Sequence, residues 1–393
     1  MREIFQNGDV NRIIFPIFLF LVFFSALVMG KTKAYEGSLS SLIGIWEGFY
    51  EINPNQVDSG FVVFKSGGYD GQFFYFLAKD MFVGGDWDII LDSYYFRWHR
   101  IGLSFVSGGL STLFGFQHYP VLTLSILFST FIASFLCLRS LLPLKSRAFA
   151  LIYLFSPYSI NSNLLLVADS FFVSLAIIGY FFYKRSRYFS AIVFFTMAVF
   201  TRELGILFLL PVSFRFFVTK DYKRMFLFAL PIFFFGCFLL YGRFFTPNHL
   251  GTNPLSFTDM IDFPFFGFFK SFVDSGEFHF QTKEFPKFIF LFSFLLVGFS
   301  LRKANVSDLY QSELLIPILG SLFVIFIAEE GYWRSFDNLS RMFTLILPLT
   351  LLYQSEKSFK SFQMFWALSI LLMAFIPVRV FFISPGKEFF FAP

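Results

Sequence analysis

Apolar runs recur along the chain at 13–30, 119–138, 146–160, 164–183, 188–200, 204–218, 224–241, 287–301, 313–328, 341–353 and 362–384, with short polar links between them. Runs that are apolar on most faces of a helix belong in hydrocarbon or in the middle of a bundle, not on a wet surface. A straight helix needs roughly 20 apolar residues to cross a bilayer core, so 146–160, 188–200 and 341–353 are short for a crossing. Residues 97–117, "RWHRIGLSFVSGGLSTLFGFQ", start on basic residues and carry Ser and Gly throughout. They are expected to lie along the membrane interface.

The basic residues orient this pattern. Arg2 and Arg12 hold the N-terminus inside, and the links Arg139/Lys145/Arg147, Lys184/Arg185/Arg187, Lys220/Lys223/Arg224, Arg302/Lys303 and Lys357/Lys360 fall on that same side if about eleven segments cross. The fold class expected is therefore all-α integral membrane, a polytopic bundle of about eleven transmembrane helices with interfacial helices in a long first external loop, 31–118. A second external loop covers 242–286, and shorter external turns fall near Ser156–Asn163, Thr201–Glu203 and Glu329–Ser340. The chain divides into a membrane module, 1–241, and a second part, 242–393, of external loop and C-terminal helices. The first apolar run is long for a signal peptide and bulky to its end, so it is expected to be a retained span.

Composition narrows the class without naming a chemistry. Of 393 residues, 56% are hydrophobic and 15% charged, and the mean hydropathy is +0.67, which places the chain among multi-span membrane proteins. The net charge of +5 sits in short clusters between apolar runs, a membrane-orienting pattern that gives no reason to expect nucleic acid as a partner. The 70 Phe residues are lipid-compatible filler. Cys137 and Cys237 lie inside apolar runs and imply neither a disulfide framework nor a zinc site. His99, His118, His249 and His279 match no metal spacing. No internal repeat is evident, which removes the main sequence support for a transporter built from inverted halves.

The candidate chemistry lies in polar residues at or just outside membrane depth. Residues 67–87 read "GGYDGQFFYFLAKDMFVGGDW". The glycines permit a tight turn at Asp70, and an amphipathic run follows; the competing role for Asp70 is to N-cap that run. Asp169 opens the apolar helix of "NLLLVADSFFVSLAIIGY", where an unpaired charge is costly. Arg202 and Glu203, in "AVFTRELGILFLLP", either face a polar cavity or pair with each other in the turn. Arg334 and Arg341, in "EEGYWRSFDNLSRMF", open an apolar segment where a cation gains nothing from the helix dipole, so an anion to bind explains them better. Arg97, His99 and Arg100 add positive charge at that level.

In these landmarks the chain resembles the GT-C superfamily of polytopic glycosyltransferases, with a layout similar to protein O-mannosyltransferases and bacterial aminoarabinose transferases. "YDGQFFYFLAKDMFVGGDW" resembles the "YDE…Y"-like first-loop motif at Asp70. "RWHRIG" stands where those families often have "KPPL", with Arg97 or Arg100 for Lys. "FLCLRSLLPLKSR", "LIYLFSPYSI" and Asp169 follow in the same order. "FTRELG" resembles an "LTKG" turn with Arg202 at the Lys position, and "SRMFTLILP" an "RY…P" helix start with Arg341. The likeness covers roughly residues 1–220 and 330–350. Gly71 and Gln72 replace the usual second acidic residue, so no metal ligand is assigned, although a divalent cation (Mg2+ or Mn2+) is compatible with the class.

The resemblance implies a multi-pass enzyme of the inner (cytoplasmic) membrane whose active site faces the periplasm or exterior. It would take a sugar from a polyprenyl-phosphate donor to a hydroxyl of a lipid or glycan acceptor, with inversion. Asp70 is expected to be the catalytic base and Asp169 a second catalytic carboxylate. Tyr69, Gln72, Arg97, His99, Arg100, Arg202, Glu203, Arg334 and Arg341 are expected to bind substrate. Tyr94, Tyr95, Trp98 and Trp333 are available either to stack on sugar or to anchor at the interface. The alternatives are a flippase or transporter for a lipid-linked sugar, a non-catalytic membrane scaffold, and a polysaccharide polymerase or ligase.

Overall fold

The structure is a computed structural model that describes residues 10–84, 88–247, 257–274, 277–278, 284–302, 312–356, 360–383 and 386–393. His249 and His279, with Arg2, Lys303 and Lys357, lie outside the described residues. The apolar runs are helices: α1 (Val10–Thr32), α2 (Gly71–Lys79), α3 (Tyr94–Trp98), α4 (Ile101–Phe114), α5 (Tyr119–Leu141), α6 (Pro157–Leu164), α7 (Ala168–Lys184), α8 (Tyr188–Thr201), α9 (Ile206–Val218), α10 (Tyr222–Phe245), α11 (Phe285–Leu301), α12 (Leu315–Phe326), α13 (Phe336–Phe343), α14 (Ile346–Glu356) and α15 (Lys360–Val378).

Among the described residues four helical stretches are long and apolar enough to cross a membrane: Ile13–Tyr35, Phe116–Leu141, Tyr222–Phe245 and Phe362–Ile383. They carry an apolar exterior, with Phe15 and Phe18 exposed on α1 and Phe226, Phe233 and Phe244 on α10, as lipid contact requires. The sequence pattern suggested about eleven crossings, but several runs are interrupted. Residues 146–160 change direction at Ser156, whose side chain caps α6 by accepting from the Ser159 N–H, with Pro157 at the first helical position, where its missing N–H costs nothing. The run 341–353 likewise breaks between Phe343 and Ile346. Residues 97–117 hold the 14-residue α4, about 21 Å long, which is short of a bilayer core.

The core is organised around α7, whose residues from Ala168 to Tyr180 are all buried, as expected for a helix that is apolar all round. It packs between α5 and α8. Its ends differ in chemistry. Asp169 lies in the first turn and Lys184 in the last, about 22 Å apart along the axis, each on the favourable end of the helix dipole. The two halves of the sequence share this core. α13 and α15 both pack on α6, and the strand β3 (Phe389–Phe391) runs antiparallel to β2 (Val62–Phe64), which is parallel to β1 (Ile45–Trp46). This small sheet steadies the segment that leads into Asp70.

Candidate active site

Asp70 stands on a turn with little freedom. The Tyr69 N–H donates to Gly44 O, 2.9 Å away, and the Phe73 N–H to Asp70 O at 3.1 Å, while the Gln72 side chain accepts from the Trp46 N–H at 3.0 Å. Gly71 is required here by close approach: a Cβ would lie 2.6 Å from Ile43 O and 2.7 Å from Leu165 O, both backbone atoms. Asp70 occupies the cap position of α2, yet its carboxylate makes no capping hydrogen bond. It turns instead to Arg341, which donates at 2.5 Å, and lies 3.6 Å from Arg97.

From there a chain of alternating charges runs through the site. Arg97 donates to both oxygens of Asp92, at 3.0 and 2.6 Å, with its guanidinium stacked 3.6 Å above the Phe73 ring. Arg341 continues from Asp70 to Asp169 through Nε at 2.6 Å, and Asp169 closes on Arg202 through its other oxygen. Beside this chain Arg100 donates to both carboxylate oxygens of Glu203, at 2.8 and 3.2 Å. Arg202 and Glu203 therefore do not pair with each other. The helix ends at Thr201, Arg202 is extended, and the two side chains leave toward different partners.

These partners set the ionisation. Burial alone would raise the Asp70 carboxyl, but the guanidiniums of Arg341 and Arg97 outweigh it and hold it well below the usual carboxylate range. Burial opposes ionisation at Glu203 as well, and Arg100 and Arg202 bring it down to about 2. Arg341 lies in the last turn of α13, so it does gain from the helix dipole. The sequence expectation placed it at a helix start, because the break before Ile346 is not visible in an unbroken apolar run.

Two neighbouring hollows share the arginines in their linings. One, of about 270 Å3, is polar and lined by Asp70, Arg97, Arg100, Arg202, Tyr332 and Arg341, with Asp259 and Glu329 at its wall. The other, of about 280 Å3, shares Arg100, Arg202, Arg341 and Tyr332 and continues between apolar side chains such as Phe172, Val173, Leu204, Val324 and Leu345. Among the described residues the buried Nε–H of Arg202 has no acceptor.

Not every expected residue is here. Gln72 braces the turn through Trp46. Arg334 is half-exposed and pairs with Glu330 one turn back at 3.2 Å, because it belongs to a separate short helix ending before α13. His99 packs 4.3 Å from the Tyr95 ring, and burial lowers its pKa, so it is a neutral packing group. Tyr69 faces away from Asp70 into a third hollow. Trp333 is fully buried against Phe268, Trp98 stacks on Phe238, and the Tyr94 hydroxyl donates to Asp80, so none of the three presents a free face to a sugar. Tyr332, next to Trp333 in sequence, lines both hollows and was not singled out.

Among the described residues no group of three His, Cys, Asp or Glu side chains converges as a metal site. The carboxylates of the network also suit a dication poorly, since each faces a guanidinium. No protein-family model, curated protein or solved structure matches the chain.

Proposed function

We propose that this protein is a membrane glycosyltransferase that moves a sugar from a polyprenyl-phosphate donor to an acceptor hydroxyl, with inversion, on the face of the membrane where Asp70 stands. The observation that carries the reading is the pairing of two hollows that share Arg100, Arg202 and Arg341: one is mostly apolar, and the other has the Asp70 carboxylate in its lining. An amphipathic donor has the complementary form, an isoprenoid chain joined to a phosphate joined to a polar sugar.

The residues divide the work on chemical grounds. Phosphate leaves as an anion and needs no proton, so the demand is for cationic donors that strengthen as charge develops. Arg202, with its spare Nε–H, and Arg341 suit that role through their planar fork. The acceptor hydroxyl must lose a proton as it attacks the anomeric carbon from the opposite side, and Asp70 is the carboxylate at the rim. Its depressed pKa makes it a weak base while Arg341 holds it. A phosphate that draws Arg341 and Arg97 away removes that hold and raises the basicity of Asp70. Donor binding and base activation are thereby coupled. A single displacement inverts the anomeric centre, by the same geometry that governs inverting glycosidases.

The test is release of free polyprenyl phosphate by purified protein supplied with a panel of polyprenyl-phosphate sugars and a membrane extract as acceptor. The expected result is turnover with one donor and a product of inverted configuration. Retention of configuration would overturn the single displacement. Absence of turnover with every donor in the panel would overturn the transferase reading in favour of a carrier or scaffold.

A further inference from the structure

The Asp70 turn has a second side. Where Asp70 faces the arginines, Tyr69 lines a separate hollow of about 80 Å3 together with Lys31, Asn161, Leu164, Asp337 and Arg379. At roughly 10–15 Å3 per water this holds several waters, or one phosphate- or carboxylate-sized group.

Its charge balance is unlike that of the first site. Around Asp70 four guanidiniums meet four carboxylates. Among the described residues lining this hollow Asp337 is the one acid, and Arg379 already occupies it with two hydrogen bonds, at 2.5 and 2.8 Å. Lys31 donates to Leu164 O at 2.9 Å. Lys387 donates to Gly67 O at 2.7 Å and lies 4.7 Å over the Tyr69 ring. Among the described residues neither lysine has a carboxylate at ion-pair distance, and the acid that attracts both is Asp337, already bound to Arg379, so positive charge exceeds negative on the hollow and its rim. Burial, and then Asp337, push the Tyr69 hydroxyl up to about 12, which keeps it a neutral donor. Asn161 presents its amide oxygen 3.5 Å from Arg379 while its nitrogen donates to Ser340 at 2.8 Å. Fixed donors and excess positive charge in a half-buried concavity are the conditions for binding an anion.

We propose that this hollow is a second anion site, which takes a phosphate or carboxylate of the acceptor while its hydroxyl reaches round the Tyr69–Asp70 turn to the carboxylate. That the anion belongs to an acceptor rests on the transferase reading; that the hollow binds an anion does not. The arrangement also ties the two sites mechanically. Asp337 and Arg341 stand one turn apart on α13, so an anion that competes for Arg379 acts on the helix that carries the Arg341 clamp.

Affinity labelling of the full-length wild-type protein in detergent tests the site without a variant. Pyridoxal 5′-phosphate forms an imine with a lysine amine and loses water, and borohydride then reduces the imine to a stable amine. Pyridoxal is the same aldehyde without the phosphate. Peptide mass spectrometry reads out Lys31 and Lys387 against Lys65, whose side chain is 53% exposed. The expected result is labelling of Lys31 or Lys387 enriched over Lys65 by roughly tenfold with the phosphate reagent, the factor that about 1.4 kcal/mol of attraction supplies, and no enrichment with pyridoxal. Protection by inorganic phosphate alone assigns a phosphate ligand, and protection by acetate a carboxylate. Equal enrichment with both reagents, no enrichment with either, or labelling that neither anion reduces overturns the proposal. Selective labelling of a protein that releases no polyprenyl phosphate keeps the anion site and discards the transferase reading; the reverse pair of results discards the anion site alone.

Discussion

Asp70 and Asp169 belong to one charge network and share Arg341, and should lose very different amounts of stability on the same change. Asp169 is 2% exposed and joins Arg202 to Arg341, so Asp169→Asn leaves two guanidiniums facing a neutral amide. Removing one partner from a buried ion pair costs about 3–5 kcal/mol. Asp70 is 33% exposed. In Asp70→Asn, Arg341 keeps Asp169 at 2.6 Å and Arg97 keeps Asp92 at 2.6 Å, so every cation retains a carboxylate. A partly solvated pair lost in this way costs about 1 kcal/mol or less. The gap between the variants is then about 2–4 kcal/mol, a difference in melting temperature on the order of 5 °C or more. Activity runs the other way for Asp70→Asn: the variant folds, but turnover falls by about 10²–10⁴-fold with the loss of the base. Thermal unfolding of both purified variants by tryptophan fluorescence, beside the polyprenyl phosphate release assay, reads both quantities. If Asp70→Asn is destabilised as much as Asp169→Asn, Asp70 is a structural ion-pair partner and the assignment of the base fails.

Three further outcomes are expected. Glu203 falls from an ordinary 4.5 to about 2 in the folded protein and Asp337 from 3.8 to about 2, in both cases against burial and through their arginine partners. Their contribution to stability is complete above those ordinary values and is lost as pH falls toward 2, so the melting temperature in an acid-tolerant detergent should drop across that window; a flat profile from pH 5 to 2 would contradict it. Gly71→Ala places a Cβ against two backbone carbonyls and should cost about 1–3 kcal/mol while displacing Asp70, measured as a lowered melting temperature together with lost turnover; unchanged values of both would show that the turn tolerates a side chain. Val173→Trp adds bulk to the buried wall of the apolar hollow and is expected to raise the KM for donor at least tenfold at a cost of about 1–3 kcal/mol in stability; an unchanged KM would place the donor chain elsewhere.

What the sequence made legible was charge out of place. Asp169, Arg202, Glu203 and Arg341 stand out because each interrupts an apolar run, and Asp70 because glycines flank it; all five meet at one site. Partner choice was not legible. Arg202 and Glu203 are adjacent in sequence and look like a local pair, but the extended backbone at Arg202 sends them apart, a tertiary effect no local pattern carries. Asp92, which no local pattern marks, holds Arg97. The aromatic residues misled for a related reason: in a chain with 70 Phe, Trp333 is one more core side chain, whereas Tyr332 beside it lines the cavity. In the second hollow Tyr69 is marked by its place beside Asp70, whereas Lys31 reads only as the basic flank of the first apolar run. Arg379 falls in the last apolar run, where the argument applied to Asp169 would have found it. Asp337 stands one helical turn before Arg341 and shares its face, a signal that becomes visible once residues 336–343 are known to be a separate helix.

The resting site around Asp70 is electrically closed, and this constrains any mechanism proposed for it. Four guanidiniums bound to four carboxylates, with Asp259 and Glu329 also at the wall of the hollow, present no excess of positive charge to a distant anion; on the proposed reading a donor therefore enters through the apolar hollow, and its phosphate engages the arginines only on arrival. Arg202 is the natural first contact, because its buried Nε–H has no acceptor among the described residues and its side chain lines the apolar hollow; meeting it relieves an unsatisfied donor, a state that costs about 1–3 kcal/mol. Each further guanidinium the phosphate captures must be taken from a carboxylate. Asp169 is almost fully buried and resists losing a partner, whereas Asp70, a third exposed, can be rehydrated when it does. The network therefore yields at Asp70 first. On the proposed reading, the carboxylate most easily released by an incoming phosphate is the one placed to receive the acceptor proton, so the site acquires its base only when a donor is bound, and an acceptor that arrives alone meets a carboxylate still held by Arg341.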